Sequence, residues 1–404
     1  MRMKGLWLAG MAGLALIGSG CGHKEVKPEN PDIVNIVVQE QQDAQKTREE
    51  QERQEIMDLI DGMTPEEKAA QLFVVTPETI TGVSQVVAAG ETTKEAINTY
   101  PVAGFVYLSQ NLQDETQVKE MLSGVQSFSE ERIGLPMFLC LDEEGGTVAR
   151  VAGNEAFNVT DIGNMSDLGA TGDTEAALDA GSTVGAYLKA LGFNVDFAPV
   201  ADVLADPDYE LLKDRAFGSD PALVADMTLA FSKGLLSEGV QSVYKHFPGH
   251  GAASGDSHEG YVEVTKTMDA LEAEDLLPFK KGIGGSSPWI MVGHIATPKA
   301  TGNDLPATMS KEIITDLLRN KMGFDGIVIT DALEMDAIAA NYSSAEAAVA
   351  ALQAGVDLLL MPADFYEAYQ GVLDAMASGT LSEDRVNESL FRIIRARKAL
   401  QEDN

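Results

Sequence analysis

Short, unbroken apolar runs recur along this chain, separated by longer stretches in which apolar side chains return every three or four positions. The runs fall at 71–75, 103–108, 137–141, 193–200, 242–246, 289–294, 327–330 and 358–361, eight in all. Continuous rather than alternating apolar character marks strands buried on both faces, as in a parallel sheet covered by helices. Between the runs, 114–132, 173–191, 220–238, 310–321 and 343–354 carry the helical period. Thr64, Pro65 and Glu67 supply an N-cap hydroxyl, a proline at the first helical position and a glutamate three residues after the cap, so a helix opens there. Ser382 caps a closing helix over 381–400 whose basic end suits the negative pole of a helix dipole. Eight strand–helix units without a break in composition predict an α/β fold: a single (β/α)8 TIM-type barrel rather than a doubly wound sheet. The barrel is expected to cover 56–404, and with only Gln401–Asn404 after the closing helix no C-terminal sandwich domain is expected.

The N-terminal part has a different pattern. Arg2 and Lys4 precede an uncharged run of 12 residues, Leu6 to Ile17, followed by Gly18, Ser19, Gly20 and Cys21. A helix needs ~20 apolar residues to cross a bilayer, so the segment reads as a secretion signal rather than a span. Small residues directly before a cysteine resemble a bacterial lipoprotein signal. That resemblance implies removal of 1–20, lipidation of Cys21, and an extracytoplasmic protein held to the cell membrane by its lipid anchor. Gly18 stands where leucine is usual, and a plain signal peptide or an uncleaved anchor are the alternatives. Residues 21–55, which include QEQQDAQKTREEQERQE at 39–55, have too few apolar side chains to bury and form a polar tether or a solvated helix.

Composition narrows the partners. Acidic side chains number 63 against 29 basic ones, for a formal net charge of -34, and such a chain offers no basic face to nucleic acid. Its two cysteines, Cys21 and Cys140, support neither a disulfide scaffold nor a cysteine-built zinc site, and Cys140 sits within an apolar run as a packing thiol.

Barrel chemistry belongs to the C-terminal ends of the strands and the loops that leave them. Here LDEEGG ends the third run, KHFPGHGAASGDSHEG leaves the fifth, His294 ends the sixth and TDALEM leaves the seventh. Four of the five histidines, His246, His250, His258 and His294, lie in these segments, and His23 is in the tether. Asp331 directly follows a strand, which suits catalysis or the N-cap of a helix over ALEMDAIAA. Asp256 precedes His258 by two residues, so its carboxylate would orient the imidazole and favour its protonated form, or merely staple the loop. Lys245 and His246 offer ion pairs to Asp142 or Asp196, while Arg150 and Arg215 read as site cations or surface charges. Gly145, Gly146, Gly249 and Gly251 allow tight loops; the GxxxxGK context of a phosphate cradle is missing. The histidines lack a tight metal spacing such as HExxH, so no metal site is expected.

Taken in order across 56–400, LDEEGGTVAR, DRAFGSDP, KHFPGHG, DSH and TDALEM resemble the family 3 glycoside hydrolases, most closely their β-N-acetylglucosaminidase branch. The resemblance implies Asp331 as nucleophile and His258 as general acid/base with Asp256 as its partner. It further implies that Asp142, Arg150, Arg215, Lys245 and His246 hold the sugar hydroxyls and the 2-acetamido group. The implied activity is a retaining exo-β-N-acetylglucosaminidase (β-N-acetylhexosaminidase) releasing terminal N-acetylglucosamine from cell-wall-derived or other glycans, monomeric and without cofactor or metal. Family β-glucosidases draw their acid/base from an additional domain, so the DSH loop decides the subgroup. Departures are AASG before that loop, Glu259-Gly260-Tyr261 after it, and Ala216 in place of a common serine; they bear on leaving group and loop mobility. Two alternatives stand. One is a β-N-acetylglucosaminide phosphorylase, since neutral His258 beside Arg150, Arg215 and Lys245 would not repel phosphate; the other is a non-catalytic amino-sugar-binding lipoprotein.

Overall fold

The computed structural model describes residues 31–253, 262–285 and 289–402, so Cys21, Asp256 and His258 lie outside the described residues. Each of the eight apolar runs coincides with one strand, the fifth strand reaching one residue beyond its run at each end: β1 (Phe73–Val75), β2 (Gly104–Val106), β3 (Phe138–Leu141), β4 (Val195–Asp196), β5 (Gln241–Phe247), β6 (Trp289–Val292), β7 (Ile327–Thr330) and β8 (Leu359–Leu360). They pair in parallel in the order β7-β6-β5-β4-β3-β2-β1-β8. A bridge between Ile329 and Leu358, with Leu358 N–H donating to the Val328 carbonyl at 3.1 Å, brings β7 back to β8 and nearly closes the ring. The continuous apolar character follows from this geometry: Phe73, Val74, Val75, Phe138, Leu139 and Cys140 are wholly buried, because the barrel interior takes one face and the helices the other. Phe138 meets Trp289 edge-on at 4.7 Å, and Gly104 makes room for it, since a Cβ there would lie 2.8 Å from the Cβ of Phe138.

Helices cover the barrel where the period placed them, at Glu115–Ile133, Thr174–Leu191, Pro221–Ser237, Ser344–Ala354 and Glu383–Glu402. The Thr64 capping box forms as expected, opening Pro65–Ala70. The helix expected over 310–321 differs in kind. Glu312–Lys321 is wound as a π-helix, which buries the same apolar set of Ile313, Ile314, Leu317 and Leu318, so the periodicity alone did not separate the two windings. Helices Thr174–Leu191 and Pro221–Ser237 cross with almost no side chain between them: a Cβ on Gly181 would lie 2.0 Å from the Phe231 carbonyl oxygen. Opposite the strands' C-terminal ends, buried Asp357 gathers Arg319, Arg385 and Arg392, which tie the closing helix to the sheet.

The chain divides into two units, Met1–Gln54 and Glu55–Asn404. In the first lies the greater part of a helix over Pro31–Asp61, whose side chains are exposed from Gln45 to Gln54. In the second, the last turns of that helix bury Ile56 and Ile60. No helix among the described residues is long and apolar enough to cross a membrane.

Candidate functional site

Strand β7 carries Asp331 to the rim of the barrel. Its N–H extends the ladder to the Val292 carbonyl at 2.8 Å, and its Oδ1 accepts from the Ala332 N–H at 2.8 Å. The expected capping role does not occur: the next helix begins at Asp336 with Met335 in the cap position, four residues beyond the carboxylate. Behind this turn His294 uses both ring nitrogens, Nε2 donating to the Ala332 carbonyl at 2.8 Å and Nδ1 meeting Thr308 Oγ1 at 3.1 Å. The imidazole thereby clamps the peptide that holds Asp331. Burial pushes the Asp331 carboxyl up, but His246, His294, the Ala332 N–H and Lys245 together outweigh it and hold the group below the ordinary carboxylate value. Asp331 is ionised at neutral pH, and among the described residues no hydrogen bond is made to its Oδ2.

Beside it runs a network of alternating charge. Lys245, at the end of β5, lies 2.8 Å from Asp142 Oδ1 and 2.6 Å from Glu144 Oε1. Arg215 grips Glu144 bidentately, Nε to Oε2 and Nη2 to Oε1, both at 2.7 Å. Arg150 approaches Asp142 at 3.6 Å, and its Nε is buried without a hydrogen-bond partner among the described residues. Glu144 is buried, which alone would raise its pKa, yet Arg215 and Lys245 drive it far below the usual range. Burial likewise opposes the Lys245 charge, and Asp142 and Glu144 restore it. The two residues at the mouth, Asp142 and Arg150, are the more exposed members, with side chains 21% and 32% accessible.

Of the two carboxylates expected to pair with Lys245, Asp142 does so and Asp196 does not. Asp196 is wholly buried, receives the Glu143 N–H at 2.9 Å, and is pushed up by burial, so it belongs to the core rather than to the charge network. Glu143 turns away from the site as well: it accepts from the N–H groups of Val151 and Ala152 and from the Tyr187 hydroxyl, each at 2.8 Å, fastening the ribbon Glu143–Gly145/Val148–Ala149 over the barrel. Gly146, at φ 54°, turns that ribbon, and Gly251 lets its loop approach the Val203 carbonyl, which a Cβ would meet at 2.0 Å. Cys140 is buried, and burial pushes its thiol up, as befits a packing residue. His246 is tied to buried Asp202, Nδ1 to Oδ2 at 2.7 Å, and meets the His250 ring edge-on at 5.8 Å.

The profile of the glycosyl hydrolase family 3 N-terminal domain matches residues 64–396. The chain belongs to glycosyl hydrolase family 3. Over 335 residues it is 36% identical to beta-hexosaminidase A of Pseudoalteromonas piscicida, a match spanning 77% of this chain and 55% of that relative. It is 37% identical over 279 residues to beta-hexosaminidase LpqI of Mycobacterium tuberculosis, covering 64% of this chain and 67% of the relative. A solved family 3 β-N-acetylglucosaminidase from Paenibacillus sp. superposes with a TM-score of 0.79 at 33% identity, covering 85% of this chain and 64% of that one. The chain thus spans little more than half the length of the Pseudoalteromonas relative.

Within this family 3 barrel, six expected site residues converge: Asp142, Arg150, Arg215, Lys245, His246 and Asp331 belong to one connected charge system. Three that contribute to it were not singled out from the sequence. Glu144 lies inside the LDEEGG string, where the second of two adjacent glutamates gives no sign of facing the cations. Asp202 is a lone acid in the otherwise apolar stretch from Phe197 to Leu204, and that isolation was its only signal. Thr308 has none.

Proposed function

We propose that this chain is a retaining β-N-acetylhexosaminidase that releases terminal N-acetylglucosamine from β-linked glycans, cell-wall-derived ones among them. The observation that carries this reading is Asp331: an ionised carboxylate at the C-terminal end of a barrel strand, held through one oxygen, beside an array of buried acids and bases suited to sugar hydroxyls. The names of the Pseudoalteromonas and Paenibacillus proteins support the amino-sugar specificity. In the first step Asp331 attacks the anomeric carbon as the bond to the leaving oxygen breaks, and His258 gives that oxygen its proton. In the second, His258 takes a proton from water, which attacks the glycosyl–Asp331 ester and frees the sugar with its configuration retained. The roles of His258 and of its partner Asp256 rest on the DSH motif. Asp142 and Arg150, the more exposed members of the network, lie at the mouth, where a sugar ring would meet them.

Comparing nitrophenyl β-N-acetylglucosaminide with the β-glucoside and the β-N-acetylgalactosaminide tests the proposal, with products identified in the presence and absence of millimolar phosphate. Free N-acetylglucosamine is expected. Preference for the glucoside, or N-acetylglucosamine 1-phosphate as the main product, would overturn it. We also propose that Cys21 is lipidated and anchors the protein outside the cytoplasm, on the strength of the Leu6–Cys21 sequence. Cys21→Ala should then shift the protein from the membrane fraction to the medium or leave it unprocessed, and unchanged retention with normal processing would refute the anchor.

A further inference from the structure

Asp202, on the loop after β4, is wholly buried, and both of its oxygens are occupied. Oδ1 accepts the His250 N–H at 2.7 Å and the His246 N–H at 3.3 Å, while Oδ2 faces His246 Nδ1 at 2.7 Å. An ionised carboxylate only accepts, so the proton of that last contact belongs to Nδ1. Nε2, on the opposite edge of the ring, is the nitrogen left for the site. We propose that Asp202 is a positioning residue for the glycosidase reaction, fixing His246 with Nδ1 protonated so that Nε2 is presented to the sugar as an acceptor. The inference rests on the reading of Asp331 as the nucleophile.

The need for an anion here is specific to the imidazole. Two backbone N–H groups are served as well by an amide carbonyl as by a carboxylate, and burying a charge is the costlier choice. An asparagine at 202 would keep its carbonyl on those N–H groups, which places its NH2 where Oδ2 stands. That group donates, so Nδ1 would have to lose its proton and the ring would switch to the Nε2–H form. The same carboxylate also receives the His250 N–H, so one buried acid fixes the backbone at both histidines of the KHFPGHG segment and the ring of the first.

The test is the imidazole 15N spectrum of the uniformly 15N-histidine-labelled full chain without substrate, with His246 assigned by loss of its signal in His246→Gln. A proton on Nδ1 in the wild type and its absence in Asp202→Asn are expected. In parallel, Asp202→Asn should lower kcat/KM for the nitrophenyl substrate about 10- to 150-fold, the range for a hydrogen bond to a charged group. In a His246→Ala background the same change should cost less than about twofold, because its effect is routed through that ring. An unprotonated Nδ1 in the wild type, an unaltered tautomer in Asp202→Asn, or a full loss persisting in the His246→Ala background would each overturn the proposal. If Asp202→Asn does not fold, the wild-type spectrum decides alone. Because the spectra need no turnover, they are informative even if the activity proves to be of another kind.

Discussion

Glu144→Gln replaces the anion between Arg215 and Lys245 with an amide of nearly the same shape. At an effective dielectric of about 20, a unit charge about 4 Å away contributes about 4 kcal/mol, so two cations together supply about 8 kcal/mol. That attraction offsets a desolvation cost of several kcal/mol for each buried ion. In the variant the attraction disappears, while Arg215 and Lys245 remain buried, with side chains only 14% and 3% exposed. Removing one partner of such a pair costs about 3–5 kcal/mol. Asp142 still reaches Lys245 at 2.8 Å, so the uncompensated charge sits chiefly on Arg215. At about 2 °C per kcal/mol, the low end of the range and the one suited to a large domain, Tm should fall about 6–10 °C near pH 7. The pH dependence has a definite sign. Glu144 is lowered in the folded protein from an ordinary value of 4.5, so the unfolded chain binds the extra proton first as pH falls. Its stabilisation is complete above the unfolded value and fades below it, toward the lower folded value. Differential scanning calorimetry of the two proteins from pH 7 down to the acid limit should therefore show a Tm gap that narrows below about pH 4.5. A gap under 2 °C at about pH 7, or one independent of pH, would refute the reasoning.

Asp331→Asn should reduce kcat on the order of 10,000-fold or more while Tm and sugar binding change little, and a 2-acetamido-5-fluoro sugar should label the wild type at Asp331, a result peptide mass mapping checks. His258→Ala should slow substrates with poor leaving groups by about 100- to 10,000-fold and nitrophenyl substrates far less, since only the former need a proton to depart; equal losses would make the residue structural. Gly181→Ala raises helix propensity by about 1 kcal/mol yet should destabilise by about 1–3 kcal/mol, because the new Cβ would lie 2.0 Å from the Phe231 carbonyl oxygen; a raised Tm would contradict the close crossing.

The barrel was legible because each strand is buried on both faces, which writes a local, unbroken apolar run into the chain for every strand from Phe73 to Leu360. Thr64 and Asp331 were legible for a similar reason: a cap and a strand end are defined by immediate neighbours. What Asp331 does was not, since an acid after a strand looks the same whether it caps a helix or stands free of one, and only the start of the next helix at Asp336 separates the cases. Nor did LDEEGG show that Glu144 faces the cations while Glu143 fastens a ribbon, because successive residues there point to opposite sides of a backbone whose surroundings come from other strands. Arg215 is 71 positions from Glu144, Lys245 is 103 from Asp142, and Asp202 is 44 from His246. Charge compensation depends on distance through space, and in a nearly closed barrel that distance is set by which strands stand side by side and how their ends are staggered. Local pattern was enough for the strands and for the acids and bases at their ends, whereas the packing of distant strands settles which of those charges neutralise one another and which is left to act.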